Sequence, residues 1–114
     1  MISGYAMTGP PKRFLEFGAA HPELAAAYAA LGDATANAGP LDARARALAK
    51  LGISIGARME GAVSSQVRKA LEAGCTSEEI RHVALLSTTT IGFPNMMAAL
   101  SWVDAALEKA AEML

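Results

Sequence analysis

Apolar residues recur every three or four positions along most of the chain, the spacing of helices that bury one face. The clearest case is the stretch RMEGAVSSQVRKALEAG, residues 58–74. Gly74 closes it as a left-handed C-terminal stop, because glycine adopts positive φ without a steric penalty. The residues predicted to face inward are Val63, Val67, Ala70 and Leu71.

Two further helices are predicted before this stretch. Pro22 has a fixed φ that suits the first position of a helix. It begins an alanine-rich helix that ends at Gly39 and Pro40. The next helix begins near Asp42, an N-cap or first-turn acid. Its predicted inward face consists of Leu48, Leu51 or Gly52, Ile55 and Met59.

A capping box predicts the start of the following helix. Thr76 and Glu79 are three residues apart, so that the hydroxyl and the carboxylate each satisfy an unpaired backbone amide. Cys75 precedes the cap and is expected to pack as a small apolar side chain against Ile80.

The last helix, from Pro94 onward, shows a heptad pattern typical of lengthwise helix packing. Its apolar positions are Phe93, Met96, Leu100, Val103, Leu107, Ala110 and Leu114. We therefore predict an all-α fold, a single-domain bundle of about five or six helices. Residues 1–21 are predicted to form an N-terminal arm and a short helix, and residues 22–114 the helical domain.

Composition and net charge narrow the classes of partner that the protein could bind. The chain has 114 residues, 53% of them hydrophobic, and a formal charge of −1, with acidic and basic residues interspersed. This balance disfavours nucleic acid and membrane surfaces as partners, because both require concentrated positive charge. The uncharged run from Val83 to Val103 is long enough to cross a bilayer, but Gly92 and Pro94 interrupt it, and two helices joined at a turn explain it better.

Cysteine and histidine usage predicts neither a disulfide nor a metal site. Cys75 is the only cysteine, and the stretch MISGYAMTGPPKRF lacks the apolar core of a signal peptide, so a cytoplasmic location is expected. Glu78 and His82 lie one helical turn apart, but two ligands make a weak metal site, and a surface pair is the better interpretation. No cofactor is expected.

The order of these signals resembles the carboxymuconolactone decarboxylase family and its alkylhydroperoxidase relatives. The likeness covers residues 41–100 and weakens upstream through Pro22. It rests on Leu41-Asp42, on the block KALEAGCTSEEI and on the turn Gly92-Phe93-Pro94. The resemblance implies the helical fold predicted above.

The hydroperoxidase branch of the family implies a redox site that this chain lacks. The resemblance leads one to expect a glutamate, a C-x-x-C pair and a histidine, and those places hold Ala47, Met59, Ala62 and Gln66. Thiol peroxidation needs an attacking thiolate, a resolving thiol and a base. Thiol peroxidase activity is therefore expected to be absent.

The decarboxylase branch does not use a cysteine pair. It implies catalytic groups near the same turn, where this chain keeps Glu60 and Arg58, with Gln66 in place of a histidine. Arg58 could hold a substrate carboxylate and Glu60 could donate a proton as carbon dioxide leaves, while Gln66 could orient a ligand without titrating. Alternatively, Arg58 and Glu60 are solvated residues at a helix start.

Two main hypotheses follow. The first is a decarboxylase-like lyase that acts on or binds a small carboxylated, lactone-type metabolite. The second is a non-catalytic protein of the same fold that binds a small ligand or serves assembly; antioxidant peroxidase activity is a third alternative. Glu60 inside a closed pocket would favour the enzyme, and Glu60 in solvent the binder. Apolar surface beyond what a small bundle covers predicts a homo-oligomer, which the resemblance narrows to a homotrimer or homohexamer.

Overall fold

The computed structural model describes residues 10–112, and it is helical throughout this range, without a strand. Six helices have nine or more residues, and a four-residue helical segment precedes the last of them. The elements are α1 (Lys12–Ala20), α2 (Pro22–Ala36), α3 (Ala43–Gly56), α4 (Glu60–Glu72), α5 (Ser77–Leu86), α6 (Thr88–Ile91) and α7 (Phe93–Glu112). The predicted all-α fold is confirmed.

Local capping signals set several helix ends. Asp42 is the N-cap of α3, where its carboxylate accepts a hydrogen bond of 2.9 Å from the amide of Ala45. At α5 both halves of the capping box are present, with distances of 3.0 Å and 2.8 Å between Thr76 and Glu79. Gly74 has a φ of 92°, so a side chain there would be strained, and the chain leaves α4 at this residue.

The core lies between α3, α4, α5 and α7. α4 packs against both α3 and α7, and α5 packs against α7 and α3. Leu51, Val63 and Val103 have no exposed surface, and the four positions predicted to face inward on α4 are all buried. Cys75 and Ile80 also belong to this core, which agrees with the predicted packing of Cys75 against Ile80. The sequence pattern thus located the interior of the bundle.

Two predicted inward positions lie on the surface. Met59 is 59% exposed, because α3 ends at Gly56 and the chain turns before it reaches this residue. Phe93 is 60% exposed, because it begins α7 directly after a turn at Gly92, whose φ is 94°. The remaining heptad positions from Met96 to Ala110 are buried or half-buried, and Leu114 lies outside the described residues.

The uncharged stretch from Val83 to Val103 spans the end of α5, the short α6 and the start of α7. Hydroxyl groups around α6 bond back to their own helix: Ser87 donates to the carbonyl of Ala84 at 2.6 Å, and Thr90 donates to that of Ser87 at 3.0 Å. This bonding is the usual role of hydroxyls in a helix. Within residues 10–112 no helix has the length and hydropathy needed to cross a membrane.

The helical hairpin formed by α1 and α2 differs from the rest. The two helices pack against each other, and neither has a buried side chain. α2 ends at Ala36, three residues before the predicted stop at Gly39. Large apolar side chains remain exposed along the hairpin, namely Phe14, Leu15, Phe17, Leu24, Tyr28 and Leu31.

Candidate functional site

The side chain of Arg58 holds the connection between α3 and α4 against α7. Its backbone has a φ of 56°, a left-handed conformation that is uncommon outside glycine. The guanidinium donates a hydrogen bond to the side-chain oxygen of Asn95 and lies 5.7 Å from the centroid of the Trp102 ring. Such a cation–π contact holds the side chain against α7. Arg58 therefore has a structural role in this geometry.

Glu60 is the first residue of α4 and is exposed. A carboxylate at this position interacts favourably with the positive end of the helix dipole. It lines none of the three principal cavities among the described residues. In the single chain, Glu60 lies in solvent, the arrangement that favours the binding hypothesis over the enzymatic one.

Gln66 lies in the middle of α4, apart from Arg58 and Glu60. Six residues along a helix correspond to a rise of about 9 Å and to a rotation of roughly 120° away from the first side chain. Its side-chain oxygen is buried and has no hydrogen-bond partner. The structure thus keeps Arg58 and Glu60 together at the start of α4 and places Gln66 on a different face.

Gln66 borders an open cleft of about 290 Å³ between α2, α3 and α4. Much of the wall consists of glycine and alanine, which leave room for a ligand. The cations and the amide come from two helices, Arg46 and Lys50 from α3 and Gln66 and Lys69 from α4, and α2 contributes the hydroxyl of Thr35. Cationic side chains with one amide suit an anion and not a metal cation.

The positive charges of the cleft have no carboxylate partners among residues 10–112. The ion pairs in this range are Arg44–Glu79, Arg68–Glu72 and Arg81–Asp104, all at other positions. Arg46 donates to the backbone carbonyl of Leu41. Burial lowers the pKa of Lys69, the nearby charges of Lys50 and Arg68 lower it further, and the charge of Glu72 opposes the effect. The cleft therefore concentrates positive charge.

Sequence reasoning selected Gln66 but missed the three cations. The spacing of these residues was a usable pattern. Arg46 and Lys50 are four residues apart on α3, and Gln66 and Lys69 are three apart on α4, so each pair shares a helix face. What the sequence could not show is that these two faces meet beside α2. Ala47, where the resemblance predicts a glutamate in redox-active relatives, lines the same cleft.

A second cavity, of about 240 Å³, lies between α3 and α5 and has a mainly apolar lining. Gly52, Ile55, Val83 and Leu86 form part of its wall. It offers no charged group to orient a polar ligand. The cleft at Gln66 is therefore the better candidate for binding a polar metabolite.

Cys75 is remote from the predicted redox turn and enclosed. It is 4% exposed, and its sulfur lies 3.9 Å from the carbonyl oxygen of Arg44. Burial raises the pKa of the Cys75 thiol, although the charge of Arg44 opposes the effect. A buried thiol with a raised pKa is a poor nucleophile.

The model of the carboxymuconolactone decarboxylase family matches residues 22–105, a range that includes α2 to α6, most of α7 and every residue that lines the cleft. The chain belongs to this family. No curated protein and no solved structure matches the chain. Family membership establishes the kind of fold, whereas the ligand has to be argued from the residues of the cleft.

Proposed function

We propose that this member of the carboxymuconolactone decarboxylase family binds a small carboxylated metabolite in the cleft between α2, α3 and α4. The observation that carries the proposal is the group of three cations, Arg46, Lys50 and Lys69, without a carboxylate partner within the described residues. Hydrogen bonds between such cations and a carboxylate are among the strong ones in proteins. The cleft, at about 290 Å³, accommodates a small organic acid.

Binding is favoured over catalysis by the nature of Gln66. An amide cannot exchange protons, so it can position a ligand but cannot act as a general acid. Glu60, the proposed proton donor, is exposed and lies outside the cleft. These two features support a binding protein within the family.

Lactone decarboxylation is the second candidate, and family membership is the observation in its favour. In this version Arg58 holds the substrate carboxylate, Glu60 supplies the proton and Gln66 orients the ligand. Turnover of a lactone acid by the wild type, lost about a hundredfold or more in Glu60→Gln with the fold intact, would establish it. Activity retained in Glu60→Gln would exclude Glu60 as the acid.

Thiol peroxidase activity is not part of the proposal. The predicted thiol positions hold Met59 and Ala62, and the single cysteine, Cys75, is buried. With an organic hydroperoxide and a dithiol reductant, we expect turnover at the rate of buffer alone. Turnover well above that rate and lost in Cys75→Ser would contradict this part of the proposal.

We also propose that the protein works in the cytoplasm as a homotrimer or homohexamer. The resemblance suggested these assemblies, and the exposed apolar residues of α1 and α2 support self-association. In such an assembly the cleft lies near a subunit boundary, because α2 contributes both to the exposed apolar face and to the cleft wall.

The test is a calorimetric titration of the wild type with a panel of small carboxylates, including lactone acids. We expect the double variant Lys50→Met and Lys69→Met to bind the best ligand at least tenfold more weakly, since each lost charge-assisted hydrogen bond is worth roughly 1.5–3 kcal/mol. Lys12→Met, which removes one positive charge from α1 outside the cleft, serves as the control and should bind normally. Equal binding by the double variant, or no binding by the wild type, would refute the proposal.

A further inference from the structure

The cavity of about 240 Å³ between α3 and α5 is an open groove, and we call it the apolar groove. Its apolar lining includes Ile55, Val83, Leu86 and Ile91. The two hydroxyls in its wall, those of Ser87 and Thr90, both donate to backbone carbonyls of the preceding turn. The side-chain donors of the wall are therefore satisfied within the chain, and the groove suits an apolar partner better than a polar metabolite.

Two glycines one helical turn apart, Gly52 and Gly56, open the groove on the side of α3. A Cβ atom at Gly52 would lie 3.7 Å from Val83, and one at Gly56 would meet no atom of the described residues within 4 Å. The absence of side chains allows another element to approach the backbone of α3 closely. The natural complement of such a concave surface is a helix with a row of large side chains.

The helix α2 carries a row of this kind. Leu24, Tyr28 and Leu31 are 57%, 60% and 60% exposed. Their spacing of i, i+4 and i+7 places the three side chains within about 60° of one another on the helix surface. This is the spacing of the anchors with which an amphipathic helix occupies an apolar groove.

Within one chain, however, α2 and the groove lie on opposite sides of α3. The α3 residues in the wall of the cleft, next to α2, are Ala43, Arg46, Ala47 and Lys50, and those in the groove are Gly52, Ile55 and Gly56. At 100° per residue, the mean directions of the two sets differ by roughly 180°. The α2 that meets this groove therefore belongs to a second copy of the chain.

The exposed apolar surface of the hairpin is close to what one side of a stable interface needs. Its six large apolar side chains are between 39% and 60% exposed. With roughly 200 Å² for each side chain when fully exposed, they present about 600 Å² to solvent. A stable interface buries about 800 Å² on each partner. The hairpin thus supplies most of one contact surface.

We propose that the hairpin of one copy docks into the apolar groove of a second copy, with Leu24, Tyr28 and Leu31 seated over Gly52 and Gly56. This inference rests on the self-association in the proposed function and adds to it the two surfaces that meet. Because these surfaces differ and lie on opposite sides of α3, the contact is head to tail. A repeated head-to-tail contact closes into a ring of the kind that a homotrimer forms.

The experiment mixes two variants of the full chain, each with one damaged surface. Leu24→Lys with Tyr28→Lys damages the hairpin, and Gly56→Lys with Leu86→Lys damages the groove. All four positions are exposed in the single chain, so the core stays intact. By light scattering each variant alone should have the mass of the single chain, since charges in a desolvated apolar contact cost more than the contact gains.

An equimolar mixture of the two variants should contain a particle with twice the mass of the single chain, because one intact hairpin meets one intact groove. The matched control is Gly61→Lys with Leu85→Lys. It makes the same two replacements at exposed positions outside the groove and should assemble like the wild type.

The outcomes separate this inference from the assembly proposal. A groove variant that assembles like the wild type, or a control that loses assembly to the same extent, would overturn the groove as the docking site and leave self-association in place. A mixture that stays monomeric while both variants remain helical would overturn the contact between hairpin and groove. A monomeric wild type would overturn both proposals.

Circular dichroism shows whether the lysine variants are folded. Should one of them unfold, Tyr28→Ala and Leu86→Ala take their place, because each only shortens an exposed side chain. Each should raise the dissociation constant of the assembly by about tenfold or more. Unchanged dissociation constants for both would overturn the inference.

Discussion

The bundle of α3 to α7 and the hairpin of α1 and α2 are built from similar residues, but only the bundle buries side chains. In the bundle, Leu51, Val63 and Val103 have no exposed surface. In the hairpin no side chain is buried, and Tyr28 and Leu31 are each 60% exposed. The sequence around Tyr28 is no less apolar than that around Val63, so composition does not explain the difference.

The difference is explained by the availability of a partner. Each helix of the bundle packs against at least two others, whereas α1 and α2 pack mainly against each other. Two short helices bury little apolar surface alone, and most of the stability of a helix in a protein comes from its packed face. The comparison therefore supports the proposal that a second copy of the chain covers the hairpin.

The largest effect is expected from truncating a leucine in each region. Leu51→Ala should lower the free energy of unfolding by about 2–5 kcal/mol, because it leaves a cavity in a packed core. Leu31→Ala should change it by about 0.5 kcal/mol or less in the monomeric chain, as surface substitutions do. Denaturant unfolding at high dilution measures both, and comparable losses would abolish the distinction between the regions.

The second prediction tests what covers the hairpin. We expect a native mass that is a multiple of 11.8 kDa, falling to that of the single chain in the double variant Leu24→Lys and Tyr28→Lys. Two charges in a desolvated apolar interface cost more than the interface gains.

Light scattering at micromolar concentration measures the mass. A control with lysines at Ser101 and Ala111, both exposed on α7, adds the same charge outside the hairpin and should keep the assembly. A wild type that is monomeric under these conditions would contradict the assembly proposal.

A smaller effect is expected at the start of α5, inside the bundle. Thr76→Ala removes the hydroxyl that accepts from the amide of Glu79, and should cost about 1 kcal/mol of stability. Thr76→Ser keeps the hydroxyl and should be close to the wild type. Thermal unfolding distinguishes the two, and equal losses would show that packing of the methyl group, and not capping, matters at this position.

The smallest effect is expected in the pH dependence of stability that arises from the Glu79 carboxyl group. The amide hydrogen bond from Thr76 lowers the pKa of the Glu79 carboxyl, and the hydrogen bond and charge of Arg44 lower it further. The folded state thus prefers the carboxylate, so the stabilisation is complete above the unfolded pKa, near 4.5, and is lost as the pH falls through the lower folded pKa.

Glu79→Gln should therefore make stability less sensitive to acid in this range, as followed by thermal unfolding at several pH values. Glu78→Gln removes the same charge from an exposed neighbour that makes none of these contacts, and it serves as the control. Parallel profiles for the wild type and Glu79→Gln would show that the ion pair and cap do not contribute through the carboxylate charge.

Features that depend on neighbours along the chain follow from the amino-acid sequence alone. The N-cap at Asp42, the capping box at Thr76 and the stop at Gly74 were predicted and are present. The inward face of α4 was also correct, because side chains three and four residues apart share a face in any helix. These features are short-range, so the residues that encode them are adjacent or nearly so.

Tertiary packing set the features that depend on how helices meet. It turned Arg58 onto Trp102 and left Met59 and Phe93 exposed where each helix ended. It brought Arg46 and Lys50 from one helix to Gln66 and Lys69 from another, beside the end of α2. A face of a helix can be read from periodicity, but its partner cannot, because contacts between distant segments follow from the packing of the whole chain. The candidate site is a contact of that kind, and the fold is therefore easier to predict here than the ligand.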